Sequence, residues 1–201
     1  QAGVGENAFS ALPDVMAAAA AVAMQVLPST RDGQRCDTIL DRACLAAIRR
    51  AGRESRKPLI DGFAELKVAV SDIRIAIRAQ HTGKTRAFLE ESLAPCDTLD
   101  LGALTDAALK SEEALCAYLR RTDYADGVGP LQAGASAFEK WCDDRQTALV
   151  REVGRQDYFT VAPLLGYVVA RQNEIAAVRI ILSGKLNGLP DERIRARLRE
   201  M

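Results

Sequence analysis

The sequence predicts an all-α protein, and three observations carry that expectation. Apolar residues recur at helical spacing along most of the chain. The seven prolines, Pro13, Pro28, Pro58, Pro95, Pro130, Pro163 and Pro190, fall at fairly regular intervals, as helix starts or the loops before them do. Alanine fills 34 of 201 positions while aromatic residues make up 5%, which suits close helix packing and is thin for a β-sandwich or a base-stacking surface. Basic and acidic side chains number 27 each and 48% of residues are apolar, a balance unlike that of disordered chains. No apolar run reaches the ~18–20 residues that span a bilayer.

Taken in order, residues 15–27 are Ala-rich, follow Asp14 and lack a basic leader, so they read as a buried or amphipathic helix rather than a targeting signal. The chain opens at Gln1 without an initiator Met, as a processed or truncated piece would. The clearest helix is 58–80. Its residues Leu59, Phe63, Leu66, Val70, Ile73 and Ile77 alternate in steps of four and three, a heptad seam on one face. Thr82-Gly83 supplies the stop. Ser111 followed by Glu112 and Glu113 opens the helix predicted over 111–121. Residues 125–134 hold three Gly and one Pro and read as a loop or a joint.

The chain also repeats itself. Residues 46–53, AAIRRAGR, match 148–155, ALVREVGR, at an offset of 102. From Pro58 and Pro163 onward the offset is 105. Val70, Ile73, Arg74, Ile75 and Ile77 then match Ile175, Val178, Arg179, Ile180 and Leu182, and Gly83 matches Gly188. The shared order is helix, Gly stop, Pro-led long helix, Gly stop, short amphipathic helix. It predicts two similar helical units in tandem, over 1–124 and 125–201, joined by a Gly/Pro loop near 125–134.

No constellation of catalytic residues stands out. Phosphate-cradling Gly motifs and the G-x-S-x-G elbow are missing. Ser183-Gly184-Lys185 and Asn187-Gly188 sit at a helix end, where a Gly cap explains them. His81 is the only His, which leaves no two-His site, and it reads as a cation at the negative end of a helix. Asp143-Asp144 and Glu112-Glu113 are adjacent in sequence, and neighbours do not share a helical face. Cys36, Cys44, Cys96, Cys116 and Cys142 form no C-x-x-C pair and read as free thiols packed as small hydrophobes. The expectation is therefore no catalytic, cofactor-binding or metal site. Charge is nevertheless segregated. Residues 41–57 and 193–199 are basic and 90–113 acidic, and for 193–199 a solvated face and a docking helix both stay open.

The last third carries a resemblance. Pro163-Leu164-Leu165-Gly166-Tyr167, Gln172-Asn173-Glu174-Ile175, Arg179-Ile180-Ile181-Leu182-Ser183-Gly184-Lys185 and residues 188–199 resemble the C-terminal signature of one family. It is the C (AC39-like) subunit of the bacterial and archaeal V-type (A-type) ATPase/ATP synthase, the d subunit in the eukaryotic proton pump. A weaker likeness covers 39–101. It rests on Leu40-Asp41-Arg42-Ala43, on Asp72-Ile73-Arg74 with Ile77-Arg78-Ala79, and on Ala94-Pro95 with Thr98-Leu99-Asp100-Leu101, where Cys96-Asp97 replaces two family glycines.

The resemblance implies an all-helical, funnel-shaped fold of three similar units, the first of which is missing here. It implies a non-catalytic coupling subunit of a rotary ATPase without a cofactor. Such a subunit lies on the cytoplasmic face, peripheral to the cell membrane. Its partners would be central-stalk subunits D and F and the proteolipid ring, with no nucleic acid and no small-molecule substrate. Residues expected at partner contacts are Arg74, Arg78, Lys84, Arg179, Lys185, Arg193, Arg195, Arg197 and Arg199. For Arg74 and Arg179, pairing with acids inside each unit is an equal reading. A stand-alone helical scaffold derived from the family is the alternative function. An Arg-rich nucleic-acid binder ranks behind both, because net charge is zero and aromatics are scarce.

Overall fold

Helix punctuation in the sequence translates directly into structure. The computed structural model describes residues 12–156 and 160–198, which are helical nearly throughout, with no strand among them. The protein is all-α, as the sequence predicts. Packing divides it into two compact units, Gln1–Tyr118 and Leu119–Met201.

The first unit holds α1 (Asp14–Thr30), α2 (Gly33–Glu54), α3 (Pro58–His81), α4 (Arg86–Ser92), α5 (Leu101–Lys110) and nearly all of α6 (Glu112–Leu119). Side-chain caps fix most of the starts. Asp32 accepts from the N–H groups of Gln34 and Arg35, Thr85 from Phe88, Asp100 from Ala103 and Ser111 from Ala114. Pro58 sits in the first turn of α3. Pro28 departs from the expectation, since it lies inside α1 rather than at a helix start. It stands in the last turn and forfeits one helical bond, the one to Met24 O, just before α1 ends. There the hydroxyls of Ser29 and Thr30 both donate to the Val26 carbonyl.

α2 packs against α1, α3 and α4, and α3 against α2, α4 and α5. The predicted seam of α3 is inward: Leu59, Leu66, Val70, Ile73 and Ile77 are buried. Close approach of α2 to α3 depends on Gly52, because a Cβ there would lie 2.5 Å from the Cβ of Ala64. His81 is exposed in the last turn of α3, with Nε2 3.6 Å from Glu112 Oε2.

The second unit begins with helical structure where the sequence suggested a loop. Residues Ala125–Gly127 form a 3-10 turn that runs into α7 (Val128–Ala133). The glycine supplies close packing here, since a Cβ on Gly127 would meet the Trp141 ring at 2.8 Å. Trp141 on α8 (Ala135–Gln156) stacks on Phe138 at 5.3 Å and donates to Asp126 Oδ2 at 3.1 Å. Arg145 bonds Asp126 and the Asp123 carbonyl and lies over the Tyr124 and Trp141 rings. α9 (Ala162–Leu186) packs on α8, and α10 (Asp191–Arg195) on α9. Between α8 and α9, buried Asn173 donates to the Thr147 hydroxyl at 2.9 Å.

Both long helices end alike. Gly83 at φ 62° donates to the Gln80 carbonyl while Lys84 N–H reaches Ala79 O. Gly188 at φ 66° donates to Lys185 O while Leu189 N–H reaches Gly184 O. Each is a Schellman stop that needs a left-handed residue. Gly184 is therefore no cap. It is buried inside α9 beneath Ile194, whose Cγ1 lies 2.6 Å from where a Cβ would be. Of the free cysteines, Cys116 and Cys142 are buried, but Cys44 is exposed and does not pack as expected.

Candidate functional site

Charge placed against charge builds a buried polar centre in the first unit. Arg49 on α2 is 5% exposed. Its guanidinium meets Asp61, Glu65 Oε2 at 2.5 Å and Asp97 Oδ2 at 2.6 Å. Burial opposes its charge, but these three carboxylates outweigh that and raise its pKa above the ordinary value. Asp97, bonded first by Arg49 and also by Arg53, is held below the usual carboxylate range. Glu65 Oε1 accepts from the N–H groups of Asp97 and Thr98 and from the Thr98 hydroxyl, at 2.7–2.8 Å.

One turn of chain is thereby pinned from several sides. Arg42 Nε donates to the Leu93 carbonyl at 3.0 Å, and Asp72 accepts from Ala94 N–H at 3.0 Å. Asp72 is fully buried, and burial pushes its pKa up to about 7 against the pull of the Ala94 and Cys96 bonds. Burial, aided by Asp72 and Glu65, drives the Cys96 thiol up to about 12, so it stays protonated. Arg42 and Arg49 on α2 and Glu65 and Asp72 on α3 thus converge on residues 93–98, the turn that follows α4. The centre is built to hold backbone in place, since every charge faces a fixed partner.

Sequence reasoning missed this centre, although a signal was present. Arg42 and Arg49 stand seven apart on α2, and Glu65 and Asp72 seven apart on α3. Residues seven apart share a helical face. Two basic and two acidic positions at equal spacing on neighbouring helices therefore foretell a polar seam.

The expected partner-contact residues fall into two groups. In the first unit, Arg78 and Lys84 line one cavity of about 340 Å³ with Gln34, Asp37 and Asp41. Lys84 Nζ also donates to Gln34 at 2.6 Å and lies over the Phe88 ring. Arg74 is half-buried and engaged in an interaction of its own. In the second unit, Arg179 and Arg197 line a notch of about 220 Å³ between α9 and α10. Lys185 pairs with Asp191, whose pKa it lowers. Arg193 and Arg195 are exposed on α10, and Arg199 lies outside the described residues.

The least expected surface is α9. Leu164, Tyr167, Val168, Ile175, Val178, Ile181, Leu182 and Leu186 are all exposed, Leu164 at 65% and Leu186 at 87%. Soluble proteins rarely leave so many large apolar side chains on one helix without use for them. Among the described residues no helix is long and apolar enough to cross a membrane, and no group of His, Cys, Asp and Glu could hold a metal ion.

Comparison with known proteins identifies a family. A model of the family described as ATP synthase (C/AC39) subunit matches residues 4–197. The A-type ATP synthase C subunit of Desulfurococcus sp. is 25% identical over 147 residues, which is 71% of this chain and 40% of that protein. Its namesake from Thermococcus kodakarensis is 24% identical over 150 residues, 73% of this chain and 40% of that protein. The match therefore spans less than half the length of either relative. No solved structure matches the chain significantly. A match from residue 4 to residue 197 takes in the polar centre of the first unit and the whole of α9 and α10, and on that extent the chain belongs to the ATP synthase (C/AC39) subunit family.

Proposed function

We propose that the chain acts as a non-catalytic coupling subunit of a rotary A/V-type ATPase, on the cytoplasmic face of the membrane. It would join central-stalk subunits D and F to the proteolipid ring and pass torque between them. The observation that carries this reading is the family match over residues 4–197. A torque-bearing part must resist bending. The clamp of Arg49, Glu65 and Asp97, and two long helices each ended by a Schellman stop, suit that demand. We read the chain as two copies of one helical unit, with domains at 1–124 and 125–201. Arg78, Lys84, Arg179, Lys185 and the arginines of α10 would set register on the partners, because exposed charges contribute orientation more than affinity. Purified proteolipid ring and D–F stalk, each mixed with the full chain, test the proposal. Binding to either supports it, and binding to neither ends it.

The matched region is only 40% of the length of each relative, and this favours one second reading, a stand-alone helical scaffold derived from the family. A gene surrounded by other subunits of the motor would support the coupling role. An isolated gene would favour the scaffold.

A further inference from the structure

One hollow recurs in both units, and its acidic lining belongs to the first alone. In the first unit it lies beside the end of α3 and holds about 340 Å³. Its lining includes Ile75, Arg78, Ala79, Lys84 and Ser92. At the offset of 105 these positions are Ile180, Ser183, Gly184, Leu189 and Arg197, and all five line the notch of about 220 Å³ in the second unit. The hollow therefore comes with the local fold: a long helix, a Schellman stop and a short helix packed back on it. The charges around it do not. Asp37 and Asp41 of α2 line the first hollow, whereas no carboxylate of a described residue lines the second.

We propose that the first hollow binds a small zwitterion, an aliphatic amino carboxylate with its ammonium at one end and its carboxylate at the other. Asp37 and Asp41 stand four apart on α2, on one helical face, and make one wall acidic. Arg78 on α3 and Lys84 just after the Gly83 stop make another wall basic. Asp37, Asp41 and Arg78 line this one cavity, yet none of them has an ion pair or a side-chain hydrogen bond with another described residue. Other charges of the unit do pair, Arg35 with Glu91 and Arg86 with Asp106. Lys84 Nζ is held by Gln34 Oε1 at 2.6 Å and lies over the Phe88 ring, and its ammonium has further donors to offer. Ile75, Ala79 and Phe88 add apolar lining that suits a methylene chain. A dication would be repelled by Arg78 and Lys84, and a dianion by the two aspartates. A molecule with one charge of each sign answers both walls. The volume stands at the small end of ligand cavities, which run from about 300 to 1,000 Å³, as a short chain requires.

Calorimetric titration of the full chain compares ε-aminocaproate with hexanoate and hexylamine, which each keep one of the two charges. The zwitterion should bind at least tenfold more tightly than either. Asp37→Asn with Asp41→Asn should lower its affinity at least tenfold and leave hexanoate bound no more weakly, a change of preference that a loss of fold would not give. Arg78→Gln should weaken the zwitterion and hexanoate alike and spare hexylamine. All three side chains are exposed, so these variants should keep the parent circular dichroism. Arg193→Gln on α10 should change nothing. No binding of the zwitterion up to about 10 mM, equal binding of all three compounds, or binding indifferent to the two aspartates overturns the inference. So does stalk binding lost with Arg78→Gln in a chain that takes up no zwitterion, which would give the wall to a partner protein. Ring and stalk binding are measured without the ligand, so the coupling role stands or falls apart from the cavity.

Discussion

At the scale of single residues, Asp72 sets how the first unit responds to pH. Its pKa rises from 3.8 unfolded to about 7 folded, chiefly through burial. The folded state therefore holds a proton that the unfolded chain releases between those values. Stability is fully present below about pH 4 and is lost as pH rises through 7, by up to about 4 kcal/mol across three pH units. Asp97, whose pKa is lowered by Arg49, acts in the opposite direction and loses its contribution as pH falls through the ordinary carboxylate range. Asp72→Asn keeps an acceptor for Ala94 N–H and has no charge to bury. Urea titrations should find it clearly more stable than the parent at pH 8 and little changed at pH 4; a parent curve flat between those pH values would refute the assignment. Arg49→Ala should cost about 3–5 kcal/mol, because Glu65 stays buried without its cation. Arg49→Lys should recover only part of that, since a single ammonium cannot span three carboxylates. The same denaturation series reads both.

At the scale of elements, the α2–α3 contact leaves no room for a side chain at residue 52. Gly52→Ala should lower the stability of the first unit by about 1–3 kcal/mol, measured by thermal circular dichroism, because the Ala64 Cβ it meets cannot rotate away. The features of α3 that sequence made legible are local ones. The four-three seam, Pro58 in the first turn and Gly83 at the stop each depend on neighbours within a turn or two. What stayed hidden depends on partners far along the chain. Glu65 is buried only because residues 97 and 98 return to it from more than 30 positions away. Pro28 misled for a related reason. A proline stops a helix by the bond and space it takes from the turn before it, and at Pro28 only one bond is forfeited before α1 ends at Thr30 in any case. Gly127 likewise looked like loop composition, and its need for smallness comes from Trp141, fourteen residues on. The seam of α9 was readable as a pattern, but its exposure was not, because periodicity shows that a face is apolar and not whether anything covers it.

At the scale of the whole molecule, 27 cations balance 27 anions and the isoelectric point is about 6.8. Little net repulsion then separates copies near neutral pH, while α9 still presents its apolar stripe. Light scattering should therefore find solubility lowest near pH 7 and higher at pH 9, where the chain is anionic. A scattering profile flat with pH would contradict that. Trp141 gives the experimenter something further. It is the only indole in 201 residues, and it is held in the second unit by Phe138, Asp126 and Arg145. The protein thus carries its own fluorophore, placed by nature on one half. Emission excited at the indole band reports that half alone, whereas circular dichroism averages both. Events in each half can be told apart in a single unlabelled sample.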